Sequence, residues 1–321
     1  MIPYGRQSIS EEDIDYVIQT LKSEWITQGP KVAEFEKEIE KKIGCEHSVA
    51  ANSATSCLHL ACKALDLKKN DWVWTSPNSF VASANAALYC GAKIDFVDID
   101  PVTYNLCCDN LENKLKIAEK KKLLPKIIIP VHFAGQSCDM ERMQKLSKKY
   151  NFKIIEDASH AIGGKYKNEM IGNCKYSDIT VFSFHPVKII TTAEGGVATT
   201  NDAALAKKMS RDRTHGIERS LLKTNNNDEG EIWNYQQTSL GFNYRLNDIQ
   251  AALGISQLNK LDEFVKKRHE IAKIYDSELS KLGIQLPQQL FDNYSSYHLY
   301  PIRVSEKKGG ISQKKMYRLL R

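Results

Sequence analysis

Short apolar runs recur along this chain with helix-length amphipathic segments between them. One run, Lys126-Ile127-Ile128-Ile129-Pro130-Val131, is apolar on both of its alternating faces. A strand with one wet face alternates apolar and polar residues; a strand apolar on both faces has to be covered on both, as in a parallel sheet flanked by helices. Further strand-like pieces fall at 48–50, 72–75, 93–98, 153–156, 179–183 and 196–200. Between them lie helical patterns at 10–22, where Ser10 is the N-cap and acids fill the first turn, and at 31–43, closed by Gly44. Others span 53–65, 81–89 and 139–150. This βα alternation predicts an α/β fold, a three-layer sandwich around a mostly parallel sheet.

A length of 321 residues exceeds one small core and predicts a large domain over 1–250, with the N-terminal helix packing near a smaller α/β domain that begins at 251. Asn247 can cap a helix over 248–280 that leads from one domain to the other. A polar, turn-forming stretch at 223–230 reads as a mobile loop, and 297–302 as a strand. The helical pattern over 311–321 ends without a cap or stop signal, so the second domain is expected to be cut short at Arg321.

Composition narrows the partners. The net charge of +6 is mild, and no basic stretch carries interleaved aromatics, which argues against nucleic acid. No apolar run approaches the roughly 20 residues that cross a bilayer, and the N-terminus lacks a signal-peptide core. The eight cysteines form no CxxC pair, so neither zinc nor a disulfide framework is expected; a cytoplasmic protein without metal is.

The chemistry gathers around Lys188, in Ser183-Phe184-His185-Pro186-Val187-Lys188, with Glu194-Gly195-Gly196 beyond it. In isolation such a lysine reads as a solvated surface residue. Here an apolar, aromatic stretch precedes it and β-rich segments flank it. Partial desolvation lowers an amine's pKa toward the range where it attacks a carbonyl. Asp157 ends the strand at 153–156, either as a turn cap or, at the carboxyl edge of an open sheet, as a ligand-binding carboxylate. Ser53-Ala54-Thr55-Ser56 is either a plain N-cap box or a phosphate cradle of hydroxyls and helix N-terminal amides. Phe80 is either a core aromatic or a ring that stacks on a ligand. An amine, an acid and a phosphate cradle together are what pyridoxal 5′-phosphate (PLP) requires. Walker, GxGxxG, HExxH and GxSxG templates do not occur.

With these residues assembled, the chain resembles the DegT-type sugar-nucleotide aminotransferases, PLP enzymes of fold type I, from about Ile9 to Pro301. The markers are Asn52-Ser53-Ala54-Thr55-Ser56, Val131-His132-Phe133-Ala134-Gly135, Asp157-Ala158-Ser159-His160-Ala161, the lysine stretch, and Gly241-Phe242-Asn243-Tyr244-Arg245-Leu246. Residues 183–196 match the S-F-H-x-x-K-x-I-T-T-x-E-G-G pattern of the branch acting in pseudaminic acid-type pathways, although Ile189 stands where proline is usual. The resemblance implies transfer of an amino group from L-glutamate to C4 of a UDP-linked 4-keto-6-deoxy-N-acetylhexose. Alternatives are another sugar-nucleotide aminotransferase, such as a GDP-perosamine or UDP-4-amino-sugar synthase, and a non-catalytic relative that binds PLP or a sugar nucleotide.

The same resemblance gives residues their implied roles. Lys188 forms the Schiff base and moves the proton, Asp157 pairs with the pyridinium nitrogen, and His160 lies along the ring. Ala54, Thr55 and Ser183 hold the phosphate, and Phe80 stacks on the ring. Asn243 reaches the neighbouring subunit's cofactor, which implies a homodimer with shared sites, and Tyr4, His185 and Arg245 contact substrate. A lysine at 188 sets the chain apart from the family's dehydratase branch, which carries histidine there. The family also implies several dozen residues beyond Arg321, including a His-Tyr-x-Pro-like stretch that walls the sugar site.

Overall fold

The computed structural model describes residues 5–218, 235–304 and 310–320. The expected loop at 223–230 therefore lies outside the described residues. Helices α1 (Glu11–Leu21) and α2 (Pro30–Ile43) precede strand β1 (His47–Ala51), and α3 (Ala54–Ala64) follows it. The chain then runs β2 (Trp72–Thr75), α4 (Ala82–Tyr89), β3 (Lys93–Phe96), α5 (Cys108–Lys121), β4 (Ile127–Ile129), α6 (Met140–Tyr150) and β5 (Lys153–Asp157). A small hairpin, β6 (Lys165–Tyr166) and β7 (Glu169–Met170), leads to β8 (Ile179–Ser183), β9 (Gly196–Thr200) and α7 (Ala203–Asp212).

Seven strands form one sheet in the order β1-β9-β8-β5-β4-β2-β3. β9 pairs antiparallel with both β1 and β8, while the other neighbours are parallel. The sheet is thus mostly parallel, as expected, with one strand reversed. Ile127, Ile128 and Ile129 are fully buried, and their side chains divide between two core clusters on opposite faces of the sheet. Each such side chain contributes about 2–3 kcal/mol through burial.

Past the sheet, β10 (Ile217–Glu218) pairs with β11 (Gln236–Gln237), and α8 (Asp248–Asn259) and α9 (Leu261–Leu279) follow. The helix expected over 248–280 is therefore two helices. They meet at Lys260, whose Nζ lies 2.7 Å from the buried carboxylate of Asp13 in α1. Ser256 and Gln257 of α8 also donate to that carboxylate, so α1 is tied to α8 by a buried polar cluster. Asp248, buried at the start of α8, accepts from the amides of Gly29 and Lys31 and so caps α2 from a distance.

A second expectation needs correction. Residues 297–302 do not form a strand: Tyr297 has φ +47°, outside the extended region, and hydrogen bonds from neighbouring elements hold the segment instead. The short strand in that region is β12 (Asn293–Tyr294), paired with β6; α10 (Gln313–Leu320) closes the described chain. Helices α5 and α7 were absent from the sequence reading, because lysine-rich faces mask their narrow apolar stripes.

Candidate active site

The parallel strands deliver their carboxyl ends to one edge of the sheet, where ligands bind in open α/β folds. β5 ends in Asp157 and β8 in Ser183, and the loop from β8 to β9 carries His185 and Lys188. The turn after β1 starts α3 at Ala54, and the loop after β2 carries Asn78 and Phe80. These residues, with His160, line a single cavity of about 600 Å³.

The turn that starts α3 rests on close packing. Ser53 caps α3 by accepting from the amide of Ser56 at 3.1 Å. The amides of Ala54 and Thr55, at the first turn, have no intrahelical acceptor. Strand β9 approaches this turn so closely that a Cβ on Gly196 would lie 2.5 Å from the Ala54 nitrogen. Glycine at that position is required by space, not by its dihedral freedom.

Asp157 is buried, and hydroxyls fix both carboxylate oxygens. Ser83 Oγ of α4 donates to Oδ2 at 2.6 Å, while Ser159 donates to Oδ1 through its Oγ at 2.6 Å and its amide at 3.1 Å. Donors on both oxygens lock the plane of the carboxylate. Lys188 sits across the cavity, its pKa lowered by burial and partly restored by the charge of Asp157. His160 is pushed down to about 4 by burial and then by Lys188, with Asp157 opposing, so its ring is neutral at ordinary pH. Its Nδ1 is buried without a hydrogen-bond partner among the described residues. A half-buried amine of lowered pKa, a fixed carboxylate and a ring nitrogen without a partner among the described residues can together hold a carbonyl-bearing heteroaromatic and move protons beside it.

Most residues named from the sequence meet here. Ala54, Thr55, Phe80, Asp157, His160, Ser183, His185 and Lys188 all line the cavity. Phe80 is 73% exposed at its mouth, so it is not a core aromatic. His185 is on the rim, with Nε2 3.9 Å from Glu194 Oε1. Asn243 and Arg245 do not reach the cavity: Asn243 is exposed in a bridge with Thr214, and Arg245 lines a separate groove beside Gln28 and Glu36. Tyr4 lies outside the described residues. No local sequence signal gives Ser83, Ser159 or His298 a role at the site. Ser83 looks like one small residue among several in α4, and only tertiary packing shows its target.

A profile of the DegT/DnrJ/EryC1/StrS aminotransferase family matches residues 7–321. The UDP-4-amino-4,6-dideoxy-N-acetyl-beta-L-altrosamine transaminase of Campylobacter jejuni serotype O:2 is 42% identical over 311 residues, which span 94% of this chain and 76% of that protein. Helicobacter pylori PseC, an aminotransferase involved in the biosynthesis of pseudoaminic acid, superposes with a TM-score of 0.83 at 35% identity, covering 95% of this chain and 78% of that one. The Streptococcus pneumoniae sugar-aminotransferase candidate Spr1654, solved in a PLP form, gives a TM-score of 0.82 at 30% identity, with 95% and 78% covered.

Proposed function

Since the chain belongs to the DegT/DnrJ/EryC1/StrS aminotransferase family, we propose that it moves an amino group from L-glutamate to C4 of a UDP-linked 4-keto-6-deoxy-N-acetylhexose, yielding a 4-amino sugar nucleotide. The enzyme class follows from the family, and the substrate from the relatives named as altrosamine transaminases. The observation that carries this reading is the meeting of Lys188, Asp157 and His160 on one cavity closed by the N-terminus of α3.

The residues present fit PLP. The fully buried, unpartnered Nδ1 of His160 awaits a polar neighbour, and the first amides of α3 and the Ser183 hydroxyl offer a place for a phosphate. Asp157 would hold the ring nitrogen, Phe80 and His160 would lie against the ring, and Lys188 would hold the aldehyde. When bound, this cofactor supplies the aldehyde and the electron sink that carry an amino group between two substrates.

The chain's own contribution is positioning and proton handling. Lys188 Nζ, kept less basic by burial, serves as nucleophile and then as the base and acid that shifts a proton to or from the sugar's C4. Asp157, with three hydrogen bonds to its carboxylate, is held in place while that happens. Neutral His160 adds no positive charge that would compete for Asp157. Asn243, exposed and away from this cavity, is assigned to the neighbouring subunit's cofactor phosphate, which makes the working unit a homodimer. Arg245 and Tyr4 are assigned to substrate contact in that dimer, with His185 on the rim.

The test is amination of a panel of 4-keto nucleotide sugars with ¹⁵N-labelled L-glutamate, read by mass spectrometry. The expected result is label in the UDP-linked 4-amino-6-deoxy-N-acetyl product. Label only in a GDP-linked product, or none with any sugar, overturns the assignment.

A further inference from the structure

The segment 295–298 has no regular structure of its own, yet it is held from two sides. From α9, Arg268 Nη1 donates to the carbonyls of Tyr297 and His298 at 3.0 and 3.3 Å, and His269 Nε2 lies 2.7 Å from the carbonyl of Ser295. On the cavity side, the Ser296 amide donates to Gly135 O at 3.1 Å and the Ser296 hydroxyl to His160 O at 2.7 Å. Gly135, at φ +104°, permits this approach: a Cβ there would lie 2.5 Å from Ser296 Oγ and 2.9 Å from the Tyr297 nitrogen.

This grip brings the His298 ring against His160, with centroids 4.3 Å apart and planes tilted by 40°. His298 is 7% exposed and does not itself line the cavity. Among the described residues no side-chain hydrogen bond orients the His160 ring, whose Nδ1 is buried and has no partner there, so packing has to do so. Phe133 supplies one neighbour, at 6.1 Å, and His298 the nearer one.

We propose that His298 is a positioning residue, whose ring, anchored through the segment 295–298, sets the orientation in which His160 faces the cavity; this rests on reading that cavity as the PLP site. Burial, and then His160, Lys188 and Arg268, push His298 down to about 2, so both rings are neutral and pack without like-charge repulsion. The region after α9 thereby reaches the cofactor cavity through one ring without touching the cofactor's place.

The test compares His298→Ala, His298→Gln and His298→Phe, each alone and with His160→Ala, in the full chain. Three quantities are read: PLP affinity by absorbance titration, kcat against KM for the keto sugar, and histidine-ring ¹⁵N signals of the chain before PLP is added. Loss of the ring in Ala and Gln is expected to weaken PLP binding by roughly tenfold, lower kcat more than it raises KM, and shift the His160 signals. Phe, which keeps a ring, is expected to stay within about threefold of wild type, and His298→Ala to add nothing once His160 is alanine. If His298→Ala does not fold, the contrast between Gln and Phe carries the test. Unchanged affinity and unchanged His160 signals in the ringless variants overturn the proposal, as does a full additive loss beside His160→Ala. A wild-type chain that binds no PLP, with His160 signals still moved by His298→Gln, overturns the cofactor reading and supports the positioning one.

Discussion

At the scale of single residues, the site depends on one buried carboxylate fixed in its orientation and one amine made less basic than usual by burial. The carboxylate is that of Asp157. Ser83 and Ser159 occupy both of its oxygens, and a hydrogen bond to a charged group contributes roughly 1.5–3 kcal/mol. Ser83→Ala should therefore leave a buried carboxylate oxygen without its donor and raise the dissociation constant for PLP by about tenfold, measured by absorbance titration. Equal affinity in Ser83→Ala and wild type would show that Ser83 only fills space. Lys188 and Asp157 could be picked out from the sequence because strand ends and apolar flanks signal them locally. Ser83 could not, since its partner is 74 residues away and its own surroundings are those of any small helical residue.

Among elements, the contact between β9 and the first turn of α3 sets the place of the proposed phosphate cradle. Gly196 lies in the one reversed strand of the sheet, and a methyl group there would strike the backbone at Ser53 and Ala54. Gly196→Ala is expected to push α3 away from the strand, destabilising the chain by about 1–3 kcal/mol and weakening phosphate and PLP binding together. Chemical denaturation and phosphate titration check this, and unchanged values in both contradict it. The βα alternation and the doubly apolar β4 made the central sheet legible, because period and burial are local signals. Helix breaks and irregular segments were not legible: the division at Lys260 answers to Asp13 across the molecule, and 297–302 is bent by contacts with α9 and with the loop after β4. In the same way, Asn243 and Arg245 could be named from a motif, but no local signal says that they lie away from the cavity of their own chain.

For the whole molecule, buried ionisable groups predict how stability follows pH. His59 and His160 are each pushed down to about 4 and His298 to about 2, burial being the largest cause for all three. Folded values below the ordinary 6.5 mean that the unfolded chain binds more protons as pH falls from about 6.5 toward 4. Stability present above pH 6.5 is therefore lost through that window. Buried Asp13 and Glu156 extend the loss further into acid: burial raises both, but their ionic and hydrogen-bonding partners outweigh it and leave each below its usual range. Tm measured from pH 7.5 to 4.5 should fall steadily below pH 6.5, and a flat profile would contradict this account. The family and the fold both point to amino transfer, and the proposed role of Lys188 is the claim on which the account turns. The most direct test is borohydride reduction of the PLP-reconstituted chain followed by peptide mass mapping: the cofactor's mass should appear on Lys188 and vanish in Lys188→Ala, whereas a label on another lysine, or one that persists in that variant, would contradict the assignment.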